Sequence, residues 1–168
     1  MFSNATFKNG EDFYHRLNLI FNLLIALPLV PFGIMYLATL RNALPEILSD
    51  VWLISLVNIT ITGLAAYCCW IGFAGFKSSR LQVPVAKPLR AKMIWLHKAL
   101  MRMYLMFEAA SILVALGLYL TQSKIHVISY VVILVIMSLK RPTLKLVVEV
   151  LQLNEPEANI LREKLPIA

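Results

Sequence analysis

Carboxylates are scarce in this chain, with nine Asp and Glu among 168 residues, and no pair of them is spaced for general acid–base catalysis. Its six glycines build no phosphate-cradling loop, which excludes nucleotide binding by that route. Neither an HExxH zinc motif nor a nucleophile elbow occurs, and Gly72-Phe-Ala-Gly75 reads as helix packing. The two cysteines, Cys68 and Cys69, are adjacent. Neighbours on a helix point in different directions, so they make neither a mutual disulfide nor a CxxC or zinc centre, and they read as small apolar groups. His15, His97 and His126 fall at predicted helix ends and read as interfacial, which argues against axial haem ligands facing one another across a bundle. No catalytic residue, metal or cofactor is therefore expected, and the interfacial His and Asp cluster of a lipid-modifying enzyme is missing as well.

What the chain has in quantity is apolar sequence. Hydrophobic residues make up 60% and charged residues 15%, and the mean hydropathy is +0.74, outside the range of a soluble domain. Residues 17–40 run uncharged between Arg16 and Arg41, and residues 51–76 between Asp50 and Lys77. Each run exceeds the roughly 20 residues a helix needs to cross a bilayer. A third run, 103–123, holds a single charge, Glu108. The fourth, 125–139, would cover only about 22 Å at ~1.5 Å per residue, a short or tilted crossing that snorkelling by Lys124 and Lys140 makes tolerable. The first run is longer than the roughly 7 to 15 residues of a signal-peptide core and no small-residue cleavage site closes it, so it is expected to be retained.

The predicted fold is all-α: a polytopic membrane protein with one four-helix transmembrane domain over residues 1–168. The spans are expected at about 17–40, 51–76, 99–121 and 123–140, followed by an amphipathic interfacial helix at about 142–153. Of sixteen Lys and Arg, only Arg41 and Lys124 fall on one side of this arrangement. The positive-inside rule then puts both termini in the cytoplasm and residues 41–50 and 122–124 outside, in what is expected to be a bacterial inner membrane. The net charge of +7 follows from that topology and adds attraction to anionic headgroups, with no nucleic acid implied. The middle loop, 77–98, carries Pro84, Pro88 and Trp95 among its bases. Its Arg80, Lys87, Arg90 and Lys92, with Lys140 and Arg141 farther on, are the expected docking groups for lipid or an acidic partner.

Polar residues inside the spans follow helical spacing. Tyr104, Glu108, Ser111 and Ala115 share one face, as do Asn58, Thr62, Ala65, Cys69 and Gly72, while Asn18 and Asn22 are four apart. Small and polar faces permit close approach and interhelical hydrogen bonds, so these stripes are expected to meet in the bundle, with Met103, Met106 and Leu113 on the opposite side. Glu108 is the one charge well inside the membrane, a placement that costs roughly 2.5 to 3.5 kcal/mol on insertion scales. No base sits at its depth, so it is expected to carry a proton and donate to Tyr104, Ser111, Asn58 or Asn22. Its role is then helix glue, a proton or cation site, or contact with a partner. Pro28 and Pro31 should bend the first span, with Gly33 adding to the weak point. His15-Arg16 and Gly33 echo His97-Lys98 and Gly117 at offsets that are not constant, so no duplicated unit is established.

In the tail, Lys145, Glu149 and Gln152 form a narrow polar face on an otherwise apolar segment bounded by Pro142 and Pro156. Such a helix belongs in the interface or against a partner, with residues 155–168 ordered if a partner holds them. The Asn4-Ala-Thr6 and Asn58-Ile-Thr60 sequons are chance matches under this topology. The functional expectation is a small accessory subunit of a larger membrane assembly; the alternative is an oligomeric proton- or cation-coupled transporter or channel with Glu108 as its ionisable site. Topology comes first in testing either. Impermeant thiol reagent added from outside should label a cysteine placed at Ser49 and miss one at Ser79, and the reverse pattern would sink the four-span arrangement.

Overall fold

Hydrocarbon offers no partner to a bare peptide group, so long apolar runs must satisfy their backbones as helices even where β-branched residues crowd, as they do from Val131 to Ile136. The computed structural model of the protein describes residues 10–83, 87–163 and 165. Among these every regular element is a helix: α1 (Gly10–Leu40), α2 (Val51–Arg80), α3 (Leu89–Thr121), α4 (Lys124–Leu139), α5 (Leu144–Leu151) and α6 (Glu155–Arg162). The expectations that rested on Asn4, Thr6, Lys8, Pro84 and Lys164 lie outside the described residues.

Three of the helices, α1, α2 and α3, are long and apolar enough to cross a membrane. Helix α4 is apolar but has 16 residues, about 24 Å at ~1.5 Å per residue. The long helices also extend past the runs that announced them. α3 begins ten residues before its expected start at 99, so Lys92, Trp95 and Lys98, assigned to a loop, are helical. Helix α1 continues through Pro28 and Pro31.

Helix α3 is the centre. Protein encloses 56% of its apolar window, against 11% for α1 and 6% for α2. Helices α1, α2, α4 and α5 all pack on it, whereas α1 and α2 barely meet one another. Ring contacts fix the levels at which the helices pass. Phe73 meets Phe107 edge-on with centroids 5.1 Å apart, Phe21 tilts against Tyr104 at 5.4 Å, and Phe32 stacks on Tyr130 at 3.8 Å. Close backbone approach of α2 depends on Gly72: a Cβ there would stand 3.1 Å from Met106 Cβ and 3.3 Å from the Met103 carbonyl oxygen. That notch draws Met103 into the core. The face of α3 left exposed consists instead of Leu105, Ile112, Leu116 and Tyr119, which corrects the expected assignment of Met103.

Local hydrogen bonds start and stop the helices, and α5 opens at Thr143 rather than at Pro142. Asp50 Oδ1 accepts from the Trp52 amide at 2.8 Å to open α2, and Thr143 Oγ1 accepts from Leu146 to open α5. Gln122, left-handed at φ 51°, closes α3 by donating its amide to the Leu118 carbonyl. Its side chain reaches the Pro45 carbonyl at 3.1 Å, tying the α1–α2 and α3–α4 connections together.

The tail folds onto its own chain. Helix α5 packs on α3 and α6 on α1, burying Val147, Val150, Leu151, Ala158 and Leu161. The expected amphipathic helix is thus present but shorter, and a further helix, α6, follows it. A buried ion pair fastens this layer: Lys92 Nζ of α3 lies 2.8 Å from Glu157 Oε1 of α6, with the lysine side chain 3% exposed. Removing one partner of such a pair strands the other. Glu157→Gln should therefore loosen α6 by about 1–3 kcal/mol, while Lys92→Met, which keeps the apolar stem, should cost less. Hydrogen exchange over residues 155–162 is the readout, and equal protection in both variants would refute the ranking.

Candidate functional site

The inward face of α3 is the stripe predicted for it. Tyr104, Glu108, Ser111 and Ala115 are all buried, and Glu108 is 7% exposed despite its charge. These residues follow one another by three or four positions, so a helix places them on one side. That side looks into the space bounded by α1 and α4, where Phe21 and Tyr130 stand.

The hydrogen bonds differ from those expected. Tyr104 Oη donates to the Lys140 carbonyl at 2.9 Å, capping the end of α4. Asn58 Oδ1 pairs at 2.9 Å with Nε2 of His126. Asn22 is exposed on the outer side of α1 and plays no part in the core. Neither carboxyl oxygen of Glu108 has a hydrogen-bond partner among the described residues, and the same holds for Ser111 Oγ, Tyr130 Oη and His126 Nδ1. Tyr130 stands on α4, the helix packed against α3, one turn beyond His126. The expected glue between helices is therefore supplied by Tyr104 and by the Asn58–His126 pair, while Glu108 remains enclosed and unbonded. Each buried polar group left without a partner costs about 1–3 kcal/mol, so this concentration in one bundle is expensive.

The levels of these groups follow from the α3–α4 hairpin. Tyr104 is level with Lys140, and Gly117 is level with His126. Glu108 thus stands one turn inside the end of α4, about 6 Å along the axis at ~1.5 Å per residue. His126 occupies the other end, fully buried. Its place at a helix end suggests an interfacial histidine, and the structure encloses it instead. The signal lay elsewhere, in Gly117: a Cβ there would meet the imidazole, 2.7 Å from Nδ1 and from Nε2.

The basic residues singled out for docking are mostly engaged within the chain. Lys92 is bonded to Glu157, Arg80 to Glu149, and Lys140 Nζ lies 5.6 Å from the centroid of the Phe73 ring, over its face. Arg90 has an interaction of its own. Lys87 and Arg141 are exposed. Among the described residues no group of three His, Cys, Asp or Glu is arranged to hold a metal. No protein-family model matches the chain, and neither a curated protein nor a solved structure matches it.

The His126 notch makes a sharp stability test. Gly117→Ala must displace the imidazole and break its bond to Asn58, an overpacking expected to cost roughly 1–3 kcal/mol. Gly33→Ala meets nothing within 4 Å and should be neutral or slightly stabilising, since alanine is the better helix former. Thermal unfolding in detergent should separate the two; equal midpoints would show that the notch is not needed.

Proposed function

We propose that the protein is a small accessory subunit of a larger membrane assembly. In this reading it crosses a bacterial plasma membrane four times, with both termini cytoplasmic, and α4 forms the short fourth crossing. The observation that carries it is on α1. Asn22 faces away from the protein's own core, and the side-chain oxygen of Asn18, one turn before it, has no partner. With His15, Leu19, Leu23 and Ala26 these two line a shallow depression on the outer side of the helix. An outward carboxamide such as that of Asn22, beside a small residue, is what helix pairs in membranes use, each bond being worth about 1 kcal/mol, while the oxygen of Asn18 is itself enclosed. The remainder of that surface is apolar, with Leu19, Leu23 and Leu27 exposed, so a neighbouring helix has a complementary face to lie on. Exposed Lys87 and Arg141 suit anionic headgroups at the same end of the bundle.

A proton- or cation-coupled carrier is the second reading, favoured by the enclosure of Glu108. Native mass spectrometry of gently extracted protein separates the two. The accessory reading expects different subunits to co-purify and to be lost from Asn18→Leu/Asn22→Leu at unchanged expression. A chain recovered alone, or only with copies of itself, would overturn it.

A further inference from the structure

Glu108 is buried where its charge has nothing to pair with. On α3 the nearest polar side chains are Tyr104, whose proton is committed to the Lys140 carbonyl, and Ser111, fully buried with an unbonded hydroxyl. Helix α4 contributes Tyr130, whose hydroxyl is equally unbonded, and farther away His126 and Lys140. The ammonium of Lys140 is turned toward the Phe73 ring of α2. Between Arg16 and Arg41, α1 offers no charged group, only Tyr36; α2 offers Tyr67, Cys68 and Cys69, and of its two bases Lys77 is exposed and Arg80 is bonded to Glu149. Among the described residues no salt bridge involves Glu108.

We propose that Glu108, Ser111 and Tyr130 form a proton-binding site inside the bundle, in which Glu108 carries an exchangeable proton and ordered water joins the three groups. Three observations lead there. An ionised carboxylate without a counter-charge is the costliest occupant of this position, and adding a proton removes that cost. A metal cation is a poorer fit. Helices α3 and α4 are unbroken at these residues, so their carbonyls are engaged in helical hydrogen bonds, and three side chains supply fewer oxygens than the roughly six a hard cation takes. Water suits the unbonded atoms, because a carboxyl, a hydroxyl and a phenol can each bond it. The route for exchange is short, since Glu108 stands one turn inside the Tyr104–Lys140 contact at which α4 ends.

The site does not depend on whether the protein has partners, so it can fail while the accessory reading stands. Infrared spectroscopy of the protein in a maltoside detergent, which carries no ester carbonyl, at pH 7 tests it directly. A protonated carboxylic acid gives a carbonyl stretch above the amide region, and a carboxylate does not. The band should be present, should shift within minutes of transfer to D₂O, and should vanish in Glu108→Gln. Carbon-13 labelling of glutamate carboxyls should move the same band in the unmutated protein, which assigns it even where the variant folds poorly. Absence of the band, or a band that labelled glutamate leaves in place, would overturn the proposal. So would a band unchanged after a day in D₂O, because the proton would then be locked in and purely structural.

Discussion

Close approach of helices to α3 is the constraint on which the rest of this structure rests. Inside a bilayer no hydrophobic force drives one apolar helix onto another, because lipid tails are as apolar as leucine. Packing must come from contacts made at short range, and two glycines provide the room. Gly72 lets α2 settle on Met103 and Met106, and Gly117 admits the imidazole of His126 from α4. One notch lies on α2 and faces the central helix; the other is cut into the central helix itself. With α3 held this way, Tyr104 meets the end of α4 and Phe107 meets Phe73 without further adjustment.

This also explains how much of the fold could be read from the chain. Charge placement marks the long helices well: Asp50 sits at the start of α2, and Arg16 and Arg41 frame the apolar part of α1. Period is informative too, since Tyr104, Glu108, Ser111 and Ala115 do share a buried face. Contacts between helices are less legible, because the hole that receives a side chain belongs to another element. Met103 appears lipid-facing until Gly72 is set opposite it, and His126 appears interfacial until Gly117 is. Helix starts beyond the apolar run are hidden for a similar reason. The first turns of α3 carry Arg90, Lys92 and Lys98 and resemble a basic loop, yet Lys92 is buried because Glu157, 65 positions later, neutralises it.

The polar groups of the interior divide by what they are asked to hold. Asn58 and His126 Nε2 bond each other and fix the end of the bundle near Lys124; Tyr104 and the Lys140 carbonyl fix the opposite end. Between those two ties lie Glu108, Ser111 and Tyr130, buried and without bonds to the chain. A bundle needing only cohesion would be served as well by leucine at these positions, since unsatisfied polar atoms weaken it. Polar side chains placed between the ties therefore point to a role other than cohesion, and a site that takes up water and a proton is the simplest one consistent with their chemistry.

The same accounting changes the meaning of the positive charge. Most of the bases at the Lys140 end look, in sequence, like a surface available to lipid or to an acidic partner. Three of them are instead spent within the chain: Lys92 on Glu157, Arg80 on Glu149 and Lys140 on the face of Phe73. The first two tie the tail to the bundle, α6 to α3 and α5 to α2, so the tail acts as a brace beneath the long helices. A brace built from ion pairs is sensitive to its surroundings, because the exposed Arg80–Glu149 pair is screened by salt whereas the enclosed Lys92–Glu157 pair is largely shielded. Helix α5 should accordingly be the looser of the two tail helices at high ionic strength, and α6 should stay in place.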